Sequence, residues 1–275
     1  MTEIQASCTH TAAIARWRDG HWEHETDELA VETPVALVFN GVSHAVMLAT
    51  PNHLIDFARG FALSEGIVPT AAEFYSAMVA SSPQGHAVHC TISDSAFAQL
   101  GDRRRNMAGR TGCGLCGVET LDQVLRPLSN TLQAGADTPW LAVSAIRSAL
   151  SQLAHHQPLN GITGGMHAAA WCDPRGDLAL VCEDVGRHNA LDKLIGRMAA
   201  CRNTFDDGFL LISSRASVEM IQKAATVGIR NLVAISAPTA LAVATAEKAG
   251  MTLIAFARGD RFVGYTHLER ILTDD

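Results

Sequence analysis

The strongest constraint on the fold lies between residues 178 and 256, where short apolar runs alternate with helical stretches. Apolar runs at 178–182, 209–213, 231–236 and 252–256 have the length and composition of strands buried on both faces. Segments 190–200, 216–227 and 239–249 separate them with helix-spaced apolar residues. This rhythm predicts a mainly parallel sheet covered by helices on both faces. Gly228 and Gly250 fall where helices should end, and Pro238 where the last long one should begin.

In an open α/β sheet, ligands collect beyond the carboxyl ends of the strands. Three sequences occupy that rim: Ser213-Ser214-Arg215, the stretch 236–239, and Phe256-Ala257-Arg258-Gly259-Asp260-Arg261. Helix N-termini there suit phosphate or another anion, and Arg215, Arg258 and Arg261 can add charge-assisted hydrogen bonds. A serine or threonine at a helix start is ordinarily only a cap, but three such sequences on one rim favour an anionic ligand. None matches a Gly-rich nucleotide loop. Two further clusters stand at strand ends. The glycine-rich stretch 161–170 reads as a tight turn entering a helix, with His167 either a satisfied polar residue or a pocket residue. The stretch 183–193 packs five charged residues and His188 between a strand and a helix, a density that more often marks a site than an average loop.

The first half has a different grammar. Residues 1–30 read as a surface segment with Trp17, Trp22 and an acidic run at 23–28. Asn40-Gly41 between apolar runs at 34–39 and 43–50 signals a hairpin. Thr50-Pro51 then reads as N-cap and first residue of a helix through Leu54, Phe57, Ala58, Phe61 and Ala62, stopping near Gly66. A strand at 86–93, a short helix at 95–100 and a helix at 143–155 follow, with a linker at 129–139.

Within this half, Cys113 and Cys116 lie three positions apart in a glycine-rich loop, just after Arg103-Arg104-Arg105 and Arg110. A Cys-x-x-Cys loop can hold zinc, exchange electrons or carry sulfur. Structural zinc usually takes four ligands, and no second pair is present. A thioredoxin-like pair would sit at a helix start after a strand, and no strand is evident before this one. A nucleophilic thiolate on a mobile loop remains, its pKa lowered by Arg110. The three arginines read first as a solvated loop and second as a landing site beside the thiols.

Composition narrows the function classes. The seven cysteines are odd in number and mostly scattered, against a disulfide framework. A net charge of −7 argues against non-specific nucleic-acid binding. No run suits a membrane span, and the first eleven residues lack a secretory pattern, so a cytoplasmic protein is expected.

With these motifs in hand, the chain resembles the FdhD/NarQ family, through 110–117, 163–170, 183–193, 213–220, 236–239 and 265–267. The resemblance implies a sulfur carrier that accepts persulfide sulfur from a cysteine desulfurase. It passes the sulfur to the molybdenum bis(molybdopterin guanine dinucleotide) cofactor for formate dehydrogenase. Cys113 matches the persulfide-forming position, Cys116 the accompanying thiol, and 256–261 the cofactor-binding segment. His167, Ser213 and Arg215 are expected to join that segment around the cofactor, with no structural metal. The resemblance also implies a homodimer. Its expected architecture is an N-terminal α+β domain over 1–135 and a three-layer α/β/α domain over 136–275 resembling the cytidine deaminase fold. His167-Ala168-Ala169 resembles the deaminase His-x-Glu with the glutamate replaced, which argues against deamination. A cofactor-binding chaperone without sulfur transfer and a thiol–disulfide oxidoreductase are the alternatives.

Overall fold

The structure, a computed structural model, describes residues 7–105, 141–201 and 204–273. Cys113, Cys116, Arg110, the linker at 129–139 and the expected boundary at 135/136 lie outside the described residues.

Residues 9–30 hold more order than expected. Strands β1 (Thr9–Arg18) and β2 (His21–Ala30) form an antiparallel ribbon around Asp19-Gly20, whose φ values are 52° and 86°. The Asp-Gly dipeptide suits this turn because both residues tolerate the left-handed region. The acidic run is part of β2: Glu23, Glu25 and Asp27 share one face, where Arg16 pairs with Glu25 and Asp27. Trp17 and Trp22 meet edge to face at the ribbon's tip.

β3 (Thr33–Phe39) and β4 (Val42–Ala49) form the expected hairpin on Asn40-Gly41. Helix α1 (Leu54–Ser64) starts three residues later than the Thr50-Pro51 signal suggests. Thr50 is fully buried and its polar atoms are spoken for elsewhere. Its amide donates to Asp184 at 3.0 Å, and its hydroxyl accepts from the Val185 amide at 3.1 Å. A local capping signal thus yields to a long-range hydrogen bond. The unanticipated β5 (Phe74–Ser82) and the expected β6 (Gly85–Ile92) complete a sheet of order β4-β3-β6-β5, followed by α2 (Asp94–Arg105). Phe57, Ala58 and Phe61 of α1 pack on Val35, Leu37, Phe39 and Val88 of this sheet.

The second half begins with β7 (Leu141–Ala142) and α3 (Val143–Leu153); β7 pairs with β14 (Ile271–Leu272). The short helix α4 (Pro158–Thr163) precedes β8 (His167–Cys172) and β9 (Leu178–Asp184). Then come α5 (Arg187–Ala200), β10 (Phe209–Ile212), α6 (Val218–Thr226), β11 (Asn231–Ala234), α7 (Ala240–Ala249), β12 (Thr252–Arg258) and β13 (Arg261–Thr266). They build a six-stranded sheet of order β13-β12-β11-β10-β8-β9. Buried residues of α5, α6 and α7 cover one face and those of α3 the other, giving three layers.

Two expectations need correction here. The sheet is mixed: only β10–β11 and β11–β12 pair in parallel. Asp173–Asp177 makes a tight turn between β8 and β9, far too short for a parallel crossover. And His167 opens a strand, not a helix. The run Ala168-Ala169-Ala170 prefers a helix in isolation, but here small side chains fit a central strand pressed between two helical layers.

The two sheets meet through α1 and α5, which cross at glycines. A Cβ on Gly60 would stand 1.7 Å from the Asp192 carbonyl oxygen, and one on Gly196 1.8 Å from that of Asp56. Around this crossing lie two buried ion pairs. Lys193 Nζ sits 2.6 Å from Asp184, donates to the Thr50 carbonyl, and shares the burial of its partner. Asn189 bridges Asp184 Oδ1 and the Leu48 carbonyl. Lys223 is 2.8 Å from both Asp192 and Glu65, while Ser64 donates to Asp192 at 2.6 Å.

Candidate functional site

Strand order decides which residues share an end. β10, β11 and β12 run in parallel, and β8 is antiparallel to β10 while β9 is antiparallel to β8. The carboxyl ends of β9, β10, β11 and β12 and the amino end of β8 therefore lie on one rim. Five adjacent strands span about 19 Å at about 4.8 Å spacing. Ser213 and Arg215 follow β10, the stretch 236–239 follows β11, 256–261 follows into β12 and its turn, and His167 starts β8.

The rim loops are stitched together. The Ser213 amide donates to the Ala168 carbonyl, and the Ala168 amide donates back to the Ser213 hydroxyl at 2.8 Å, fixing Ser213 beside His167. The Ala216 amide donates to Ala237, the Thr239 amide to Ala216, and the Phe256 amide to Ser236. Burial lowers the His167 pKa, with nearby Arg187 adding to the effect, so the imidazole is neutral near pH 7. Arg215 is exposed.

The 256–261 segment has internal structure that its sequence did not announce. Ala255 packs on the α5–α7 face and Ala257 on the α3 face, with Phe256 extruded between them at φ 53° and 45% exposed. The register shift between Ala255 and Arg258 makes Phe256 the extra residue of a bulge, a position glycine usually fills. Arg258 and Arg261 face each other across the Gly259-Asp260 turn, both exposed. Asp260 is held by Arg147 of α3 at 2.7 Å, and Ala257 is buried.

The 183–193 cluster divides in two. Glu183 accepts from the Leu159 and Asn160 amides and caps α4; Asp184, Asn189, Asp192 and Lys193 hold the two sheets together. Arg187 and His188 do neither. Buried Arg187 Nε and His188 Nε2 have no hydrogen-bond partner, and burial pushes His188 down to about 4. The sequence marked this stretch as dense in charge, yet only the contacts separate its structural members from its rim members.

Thiol chemistry can also be sorted. Burial pushes Cys90 up to about 12 and Cys182 up to about 11, raises Cys172 further still, and raises Cys8. None of these four is a good nucleophile near neutral pH. Sequence reading missed a cleft of about 520 Å³ between the sheets, beside edge strand β9, lined by Cys8, Asn52, His53, His86, His156 and Glu183. Among the described residues no group of three or more His, Cys, Asp or Glu is placed to hold a metal ion, and no helix is long and apolar enough to cross a membrane.

A three-layered sheet, joined to a smaller sheet through α1 and α5 and carrying a polar rim at one end, defines a mixed α/β protein. Residues 30–272 match the FdhD/NarQ family. The chain belongs to that family. It is 50% identical over 264 residues to a Cupriavidus necator protein named sulfur carrier protein FdhD, covering 96% of this chain and 90% of that one. A protein of the same name from Variovorax paradoxus is 51% identical over 89% of this chain and 87% of its own length. Among solved structures, one from Desulfotalea psychrophila, described as a formate dehydrogenase accessory protein, shares the fold. Its TM-score is 0.75 at 24% identity, over 97% of this chain and all of the other.

Proposed function

We propose that the chain is a sulfur carrier serving formate dehydrogenase, with its sulfur on Cys113 and its cargo held at the rim. The thiolate of Cys113 attacks the outer sulfur of a cysteine desulfurase persulfide. The S–S bond of the donor breaks, the desulfurase leaves as thiolate, and Cys113 becomes the persulfide. Attack by the Cys116 thiolate on the inner sulfur then releases sulfide to the molybdenum bis(molybdopterin guanine dinucleotide) substrate, leaving a Cys113–Cys116 disulfide. A cellular dithiol reduces that disulfide for the next cycle.

The observation that carries this reading is the convergence of His167, Ser213, Arg215 and 256–261 on one sheet end, where helix starts and arginines suit nucleotide phosphates. Phe256, extruded and exposed, offers an aromatic face for a base. The raised pKa values of Cys8, Cys90, Cys172 and Cys182 are consistent with the sulfur chemistry residing elsewhere in the chain. In the same reading the protein acts in the cytoplasm as a homodimer, as an N-terminal unit over 1–135 and a cytidine-deaminase-like unit over 136–275.

Intact-mass spectrometry after incubation with a cysteine desulfurase and cysteine tests the transfer. One added sulfur is expected in the wild type and none in Cys113→Ala. No adduct on the wild type would leave a chaperone, and efficient insulin-disulfide reduction would point to an oxidoreductase. Calorimetry with GDP, standing for the cofactor's nucleotide end, tests the rim: Arg258→Ala and Arg215→Ala should each weaken binding about tenfold, the loss of one charge-assisted contact.

A further inference from the structure

The β1–β2 ribbon and the small sheet each leave apolar surface that none of the roles above uses. In the unbroken register of the ribbon, Trp17 and Trp22 share a face with Ala13 and Ala15, opposite the face on which Arg16 pairs with Glu25 and Asp27. All residues from Ala15 to Trp22 are exposed. The two indoles, with ring centroids 5.4 Å apart, are 58% and 62% exposed. A two-stranded ribbon on its own is marginally stable in water, and exposed tryptophans are the side chains that interfaces bury most readily. A tip of this kind gains from a partner.

The small sheet carries a complementary shape. Val35, Leu37 and Val88 turn toward α1, so the residues alternating with them turn the other way. Cross-strand pairing lines up Val46, Ala36, Ala87 and Ala80 in one outward row, with Pro34 and Leu48 beside it. The three alanines leave a trough of about 360 Å³, bordered by Val46 and Pro34 and of a size that accepts a ring system. Val46 and Leu48 are 55% and 54% exposed. A sheet face turned to water is ordinarily polar, and this one is apolar.

A chain's own tip does not reach its own trough. Ala30, at the base of the ribbon, is four residues from Pro34, at most about 14 Å along the chain. Ten-residue strands place the tip about 30 Å from that base. We propose that two copies of this chain meet reciprocally, the Trp17–Trp22 tip of each seated in the alanine trough of the other. A two-fold pairing of this kind uses the same two patches on both subunits and leaves neither free, whereas a one-way contact would propagate into a filament. The exposed parts of four indoles, with the surface they cover, come to about 700–1,200 Å². Ala13, Ala15, Val46 and Leu48 add to this and bring the contact to the roughly 1,000 Å² or more of a specific interface. The inference rests on the homodimer of the reading above and names the surfaces that join it.

Sedimentation velocity of the full chain over a concentration series tests it. The wild type should dimerise. Trp17→Ala combined with Trp22→Ala removes the tip, and Ala80→Lys places a charge in the trough. All three residues are exposed, so the circular dichroism of both variants should match the wild type. Each variant should raise the dimer dissociation constant about a hundredfold or more, as expected when central aromatic anchors are lost or blocked. Mixing the two variants returns one intact tip to one intact trough, so mixed dimers should form at concentrations where each variant alone is monomeric. A dimer that either variant leaves unchanged, or a mixture that shows no such recovery, would overturn the inference and leave the homodimer standing. A monomeric wild type would overturn both.

Discussion

The junction between the two sheets and the rim of the larger one are both rich in charge, and they treat it in opposite ways. At the junction every charge is matched: Lys193 and Asp184 are wholly buried together, and Lys223 has two carboxylates. At the rim, Arg187 and His188 keep buried nitrogens unpartnered, while Arg215, Arg258 and Arg261 are exposed. Burial against protein forces pairing, because an isolated buried charge is too costly to keep. A polar group left unmatched at a strand end is instead available to something the chain does not itself supply. The contrast separates residues whose charges are matched across the junction from residues left unmatched at the rim, within one eleven-residue stretch at 183–193.

The largest test breaks the junction. Lys193→Met leaves Asp184 buried without its cation and should cost about 3–5 kcal/mol in urea unfolding. Lys193→Met combined with Asp184→Leu should recover much of that, since the expense lies in the orphaned charge; no recovery would mean the pair's hydrogen bonds to Thr50 and Asn189 dominate. Gly196→Ala probes the same junction through packing. Its methyl would meet the Asp56 carbonyl, and a loss of about 1–3 kcal/mol is expected in the same assay.

Acid should distinguish the two regions from the other side. Unfolded, His188 takes a proton near its ordinary value of 6.5; folded, it refuses one until about 4. The unfolded chain therefore binds more protons in that window, and stability present above pH 6.5 is lost as pH falls toward 4, by up to about 3 kcal/mol. Unfolding measured against pH should show this limb flattened in His188→Gln. A limb unchanged by the substitution would place the titration elsewhere.

Smaller effects sharpen the rim. Phe256 occupies a left-handed conformation that costs a non-glycine residue about 1–2 kcal/mol. Phe256→Gly should raise the melting temperature modestly and weaken GDP binding, a split that a merely structural residue would not produce. The Arg147–Asp260 pair is exposed on both sides, so Asp260→Ala should change stability by less than about 0.5 kcal/mol.

Much of the architecture could be read from local signals. Asn40-Gly41 placed its hairpin, and the apolar runs after residue 178 placed β9 to β12 with their intervening helices, because each signal concerns residues within a turn or two of one another. Asp19-Gly20 carried equal information for the β1–β2 ribbon and went unused, since the charged strand beside it masks the period of two. The rim segments were legible because parallel strands joined by helices bring their carboxyl ends together. The Cys-x-x-Cys pair was legible as chemistry alone.

The sequence by itself determined the family, the strand–helix rhythm and the residues that end up on one rim, since these follow from spacing along the chain. Tertiary structure alone decided that Thr50 serves Asp184 rather than a helix, that Ala168-Ala169-Ala170 forms a strand, and that Phe256 is the extruded residue of a bulge. It also decided which charges of 183–193 are paired. Lys193 pairs with Asp184 inside the stretch and Asp192 with Lys223 outside it, while the carbonyls that complete the cluster, Leu48 for Asn189 and Thr50 for Lys193, lie more than a hundred residues away, and no local pattern encodes what a side chain meets across a junction.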